Sequence, residues 1–212
     1  MPLAKTINVN ENTKVFVWKI TETKKELESI FLCKNSLNRL KNMRSETHQK
    51  GFISVRHLLK EAGYSDRDLY YSDDGKPHLK DGKEISISHS YQFSTIIISN
   101  KSVGIDIEKN REKIKKIAHK FVGKESVFLK AENLIKQLTV LWGAKESLYK
   151  IHPNGGLLFI EHLPINPFTL EDKNTIGWIK KDPWNESYRL FFEFLEDFTL
   201  VFAIPSNQVY EE

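Results

Sequence analysis

Two carboxylates stand at alternate positions of an otherwise apolar, β-branched run, "SVGIDIEK", as Asp106 and Glu108. On a strand, residues i and i+2 point to one face, so the two acids project together. Carboxylates held that close repel unless positive charge lies between them. A hard divalent cation, magnesium above all, suits such a pair and is commonly shared with substrate phosphates. Two solvated surface acids, with Lys109 as a neighbouring ion-pair partner, fit the same spacing. A third acid follows in "LWGAKESLYK", where Trp142, Lys145, Glu146, Tyr149 and Lys150 fall on one side of a helix. A face half packed and half lining a polar cleft accommodates both the aromatics and the charges. Glu146 would then complete a cation site, and Lys145 and Lys150 would meet the phosphates. An amphipathic core helix with snorkelling lysines accounts for these residues as well.

The elements that must position these groups follow from periodicity. "KVFVWKI" reads as a strand. Thr23 with Glu26 forms a capping box that opens a helix running to about Leu40. A second helix is expected from Thr47 to Ala62, with Gly63 as its stop. "YYSDDGKPHL" is a loop or hairpin tip, and "KEISISHS" a short strand ending at His89. "FSTIIIS" and "SVGIDIE" look like two antiparallel strands around a tight turn. The period becomes helical from Lys113, and a strong helix covers about Asn133–Lys150. "GLLFI", "TIGWIK", "SYRLFFEFL" and "FTLVFAI" read as strands, the last two joined at Glu196-Asp197. The fold class is α+β, with a boundary near residue 100 that separates 1–102 from 103–212.

Totals narrow the function. A chain of 212 residues holds one large domain or two small ones, and 40 % hydrophobic with 28 % charged residues is ordinary for a soluble protein. No apolar run suits a membrane span, and the start lacks the apolar core of a secretory signal. A single cysteine, Cys33, excludes a disulfide framework and a cysteine-based zinc cluster. The expectation is a cytoplasmic protein with no membrane partner. Net charge is +4, with 17 Lys and Arg against 12 acids in residues 1–102 and 15 against 16 in residues 103–212. Nothing resembles the dense basic face of a nucleic-acid binder. A magnesium nuclease of the D…E-x-K type needs a lysine two places after the acid, but Lys109 and Asn110 follow Glu108.

Together, "VGIDIE" and "LWGAKESLYK" resemble the paired signatures of the 4′-phosphopantetheinyl transferase superfamily, G-x-D-x-E and W-x-x-K-E-x-x-x-K. Upstream, "GKPHL" and "ISISHS" are similar to its G-K-P and S-H-S motifs, so four motifs appear in order over about residues 75–150. The length resembles the Sfp type, which implies two similar α/β subdomains with antiparallel sheets, packed with pseudo-twofold symmetry in one monomeric chain. The resemblance implies an enzyme of the holo-[acyl-carrier-protein] synthase kind. Such an enzyme moves the phosphopantetheine arm of coenzyme A onto a serine of an apo acyl, peptidyl or aryl carrier protein and releases adenosine 3′,5′-bisphosphate. A non-catalytic coenzyme A-binding module of the same fold is the rival reading.

By that resemblance Asp106, Glu108 and Glu146 hold magnesium, or manganese, and Lys150 contacts the pyrophosphate, with Lys145 as a second phosphate contact. Gly75, Lys76 and Pro77 lie along the adenine and its 3′-phosphate, Ser88 and His89 bond phosphate oxygens, and Arg56 meets the 3′-phosphate. The 1–102 half thus grips the nucleotide, while the 103–212 half holds the metal and docks the carrier, its segment 113–130 carrying six lysines among apolar residues. The family's F-F-[ST]-x-x-E segment is "KFVGKESVF" here. Gly123 replaces the hydroxyl cap, and Glu125 sits one place earlier than the family's glutamate. Glu125 is therefore a candidate base, a metal-activated water is another, and Glu125 also reads as a simple first-turn acid. His48 stands where a basic residue is usual.

Overall fold

The computed structural model describes residues 3–153 and 155–207. It divides between Asn100 and Lys101 into two units.

The first unit contains β1 (Leu3–Asn10), β2 (Thr13–Lys19), α1 (Lys24–Leu27), α2 (Lys34–Lys41), α3 (Glu46–Glu61), β3 (Leu69–Tyr71), β4 (Pro77–Leu79), β5 (Glu84–Ser90) and β6 (Phe93–Ser99). An antiparallel sheet runs β1-β2-β6-β5, and β3 pairs with β4 as a separate hairpin. The apolar positions of α3, among them Ile53, Leu58 and Leu59, recur at helical spacing and bury against Phe16, Trp18, Ile96 and Ile98 of the sheet. Gly63, with φ +87°, ends that helix, and the Tyr64 N–H closes back on the Leu59 carbonyl at 2.8 Å.

The second unit contains β7 (Gly104–Lys109), α4 (Lys113–Ile117), three short 3₁₀ turns (Ala118–Lys120, Lys124–Phe128 and Ala131–Asn133), α5 (Leu134–Ile151), α6 (Phe159–His162), β8 (Asn174–Lys181), β9 (Trp184–Leu195) and β10 (Phe198–Pro205). Its antiparallel sheet runs β7-β10-β9-β8. Leu141, Ala144 and Leu148 of α5 pack on Tyr188, Leu190 and Phe192 of β9 and on Val201 and Ala203 of β10. The units share one connectivity: a strand, a long helix, then a hairpin whose last strand returns beside the first, as β2-α3-β5-β6 and as β7-α5-β9-β10. The sequence shows no repeat because the packing pattern, not the letters, is what recurs.

Four local expectations change. The helix expected from Thr23 to Leu40 is two: the Thr23–Glu26 capping box forms, but α1 stops at Leu27 and α2 starts anew at Lys34. Asp66, far along the chain, accepts the Cys33 N–H at 2.8 Å and the Ser36 hydroxyl at 2.9 Å, anchoring the start of α2. The strands holding "FSTIIIS" and "SVGIDIE" are not a hairpin. β6 lies between β2 and β5 with no edge to offer, so β7 pairs instead with β10. "GLLFI" is no strand, because the Leu158 N–H donates to His162 Nδ1 at 2.9 Å and closes the turn of α6. Lastly, β1 pairs along β2 where no strand was expected.

Candidate active site

The acids sit where α5 crosses β7, and two glycines set that crossing. A Cβ at Gly104 would lie 1.9 Å from the Ser147 carbonyl oxygen, so strand and helix backbones are in direct contact there. At Gly143, in the middle of α5, a Cβ would lie 2.8 Å from Val201 Cγ2 and 3.6 Å from Asp106 Oδ2. Gly104, Asp106 and Glu108 alternate on one strand face, as the period of two requires. Ile105 and Ile107 are buried on the other face. The expectation that the two acids project together is met, and what they project toward is the helix.

Lys150 joins the two elements. Its Nζ donates to Asp106 Oδ1 at 2.9 Å and to the Ile105 carbonyl at 2.8 Å. Asp106 is buried, while Glu108, Glu146 and Lys150 are half-buried. Burial and the charges of Asp106 and Glu108 push the Glu146 carboxyl up to about 7, against the partial relief that Lys150 gives. Lys109, the neighbour that a surface-acid reading would pair with these groups, reaches Asp197 at 2.9 Å.

The charged stretch of α5 is not one face but two adjacent stripes. Gly143, Glu146, Ser147 and Lys150 turn toward β7. Trp142, Lys145 and Tyr149 turn toward α6, where Trp142 and Tyr149 lie 5.3 and 5.8 Å from the Phe159 ring. Lys145 is fully buried, and its Nζ donates to Glu125 at 2.8 Å and to the Phe159 carbonyl at 2.9 Å. Glu125 is 4 % exposed, and also accepts the Gly123 N–H at 2.9 Å and the Ile165 N–H at 3.3 Å. Burial pushes the Glu125 carboxyl up, but the Lys145 hydrogen bond and charge, with the Gly123 N–H, hold it below the ordinary range. Neither Lys145 nor Glu125 thus stands with the acid cluster. A carboxylate with its oxygens taken by three donors is poorly placed to accept a serine proton.

In the first unit, Gly75 (φ +87°), Lys76 and Pro77 form the tip and first rung of the β3–β4 hairpin. The Gly75 N–H donates to the Ser72 carbonyl at 2.8 Å. Ser88 is buried and His89 exposed at the end of β5. The His89 ring packs over Gly51 of α3 and lies 6.0 Å from the His48 ring. Arg56 is 3 % exposed: Nε donates to Asp66 Oδ1 at 2.9 Å, and the other guanidinium nitrogens donate to the Phe52 carbonyl and the Ser36 hydroxyl. Arg56 lines a cavity of about 520 Å³ with Arg39, Tyr71 and Lys80. Asp66 and Gly143 are not among the residues that the sequence singles out. Asp66 gave no local signal, but a glycine inside an 18-residue helix costs about 1 kcal/mol against alanine and so calls for a packing reason.

Among the described residues, no three His, Cys, Asp or Glu side chains already converge tightly enough to hold a metal ion. In chemistry the donor set still fits a hard divalent cation: carboxylate oxygens, desolvated enough to hold Glu146 near neutrality, with a lysine already supplying one positive charge. No helix among the described residues is long and apolar enough to cross a membrane.

The fold and site define an α+β domain with carboxylates and a lysine gathered between a strand and a helix. Residues 102–194, the segment that carries this cluster, match the family model of the 4′-phosphopantetheinyl transferase superfamily, the family that the motifs resemble. The chain is also 34 % identical over 121 residues to "4′-phosphopantetheinyl transferase gsp" of Aneurinibacillus migulanus, a match covering 55 % of this chain and 49 % of that protein. The chain therefore spans about half the length of the curated relative it matches.

Proposed function

We propose that the protein is a 4′-phosphopantetheinyl transferase of the Sfp type, transferring the phosphopantetheine arm of coenzyme A to the serine hydroxyl of an apo acyl, peptidyl or aryl carrier protein. The observation that carries the reading is the convergence of Asp106, Glu146 and Lys150 at one helix–strand crossing, in the segment that matches the superfamily. The serine oxygen bonds to the β-phosphorus, the bond to the adenosine 3′,5′-bisphosphate oxygen breaks, and the serine proton passes to solvent or to a bound water. Magnesium held by Asp106, Glu108 and Glu146 would supply Lewis acidity and charge neutralisation at the pyrophosphate. Lys150 would stabilise charge growing on the leaving group, moving from Asp106 to a phosphate oxygen. Lys76, Pro77, Ser88 and His89 would hold the nucleotide. The shared strand–helix–hairpin connectivity supports two similar subdomains. A monomer acting in the cytoplasm belongs to the same reading.

Incubation with coenzyme A, magnesium and apo carrier proteins of several types tests this, with the carrier weighed afterwards. A gain of one phosphopantetheine, lost in Asp106→Ala with its fold intact, is the expected result. Coenzyme A binding with every carrier left unmodified would favour the non-catalytic module.

A further inference from the structure

The Glu125–Lys145 pair lies outside the acid cluster, yet Lys145 directly precedes Glu146 on α5. Its setting has three features that a simple surface or core role does not require. The pair is dry: Lys145 is 0 % and Glu125 4 % exposed. It is a hub, because Glu125 accepts hydrogen bonds from Gly123, Lys145 and Ile165, and Lys145 Nζ also donates to the Phe159 carbonyl. Three separate stretches of chain, around Glu125, Phe159 and Ile165, are thereby fixed to one turn of α5. Finally, it is an expensive way to fill that space, since a buried ion pair is commonly no more stabilising than apolar side chains of the same volume. What an ion pair adds over apolar packing is direction.

Consecutive helical residues point about 100° apart. Fixing Lys145 toward α6 therefore fixes the direction of Glu146 toward β7. On the other side, the Gly104–Ser147 contact and the Lys150 bond to Asp106 set the same helix against the strand. We propose that Glu125 and Lys145 are positioning residues, an internal strut that sets the rotation of α5 and so holds Glu146 in place to bind a divalent cation beside Asp106. The inference rests on the proposed metal role of Glu146 and assigns to Glu125 a task other than proton transfer. The same strut ties the exposed tip around Val127, in the Lys124–Phe128 turn, to the helix that carries Glu146.

The experiment titrates magnesium alone, without coenzyme A, into the full-length protein by calorimetry. The native chain is compared with Glu125→Gln and with the apolar replacement Glu125→Leu/Lys145→Met, all at a temperature well below melting. The expected result is an apparent magnesium dissociation constant raised by roughly tenfold or more in the folded variants, in the range by which supporting residues usually act on a metal site. The KM for coenzyme A at saturating magnesium should stay within about twofold. Folded variants that bind magnesium like the native chain overturn the strut and leave the proposed function standing. A native chain that binds no magnesium overturns the strut, while the proposed function is decided separately by the carrier assay with coenzyme A present. A second measurement needs no variant. Coupling is reciprocal, so magnesium should slow hydrogen exchange at the Gly123 and Ile165 amides that Glu125 accepts. Unchanged exchange at both, under saturating magnesium, overturns the proposal.

Discussion

Gly104 and Ser147 touch backbone to backbone: a Cβ on Gly104 would stand 1.9 Å from the Ser147 carbonyl oxygen and 2.7 Å from its carbonyl carbon. No rotamer change can relieve that overlap, because both partners are main chain. Gly104→Ala should therefore push α5 off β7 and cost about 3 kcal/mol. Magnesium binding should be lost as Glu146 separates from Asp106. Chemical denaturation and magnesium calorimetry check the two effects together. A variant with native stability would show that the helix can shift without cost.

Gly143→Ala makes a milder test of the same crossing. Its Cβ would meet Val201 Cγ2 at 2.8 Å, the end of a side chain rather than backbone. Alanine gains about 1 kcal/mol of helix propensity, while overpacking costs about 1–3 kcal/mol. The expected net loss is about 1 kcal/mol, well below that of Gly104→Ala, with weaker magnesium binding because relieving the Val201 overlap shifts α5 beside Asp106. Melting temperatures of the two variants, measured side by side, give the order.

Glu146 carries a stability cost of its own. Its folded-state value of about 7 lies above the ordinary 4.5, so the folded chain holds the proton more tightly than the unfolded one. Stability from this group therefore falls as pH rises from about 4.5 to 7, and the full cost is present above 7. Glu146→Gln removes the titration. The metal-free variant should match the native chain near pH 4 and exceed it at pH 8 by roughly 1–3 kcal/mol. Denaturant midpoints at the two pH values decide it. A variant that is less stable at pH 8 would mean that Lys150 already neutralises Glu146.

How far the sequence speaks depends on distance along the chain. The alternation of Asp106 and Glu108, the spacing of Glu146 and Lys150, the Thr23–Glu26 cap and the Gly63 stop are local, and each appears in the fold as read. Lys145 shows where local reading stops. Helical spacing puts it beside Glu146, but only Glu125 and Phe159, 20 residues before it and 14 after, decide that it faces the interior. Asp66 is a similar case, anchoring through Cys33 and Ser36 a helix that starts 32 residues earlier. β6 and β7 looked like hairpin partners because they are neighbours in sequence, and the central place of β6 in its sheet rules that out. Sheet order depends on contacts between distant strands, which residue periodicity does not record.

Arg56 separates a structural role from a binding role. Burial pushes the Asp66 carboxyl up, but the Cys33 N–H, the Arg56 charge and the Ser36 hydroxyl together hold it below its ordinary range. A lowered folded-state value contributes stability above the unfolded pKa, and that stability is lost as pH falls through the folded one. Arg56→Leu leaves the Asp66 charge buried without its guanidinium and should cost about 3–5 kcal/mol. Arg56→Lys should recover little, because an ammonium cannot reach Asp66, Ser36 and the Phe52 carbonyl at once. Lys76 lies half-buried at the tip of the β3–β4 hairpin. Lys76→Ala should change stability by no more than about 0.5 kcal/mol and raise the KM for coenzyme A about tenfold, as loss of one charge-assisted phosphate contact would. Thermal melts paired with coenzyme A kinetics on the three variants test both assignments. Should Arg56→Leu melt like the native chain while its KM for coenzyme A climbs, Arg56 is a nucleotide contact and its bond to Asp66 is incidental to the fold.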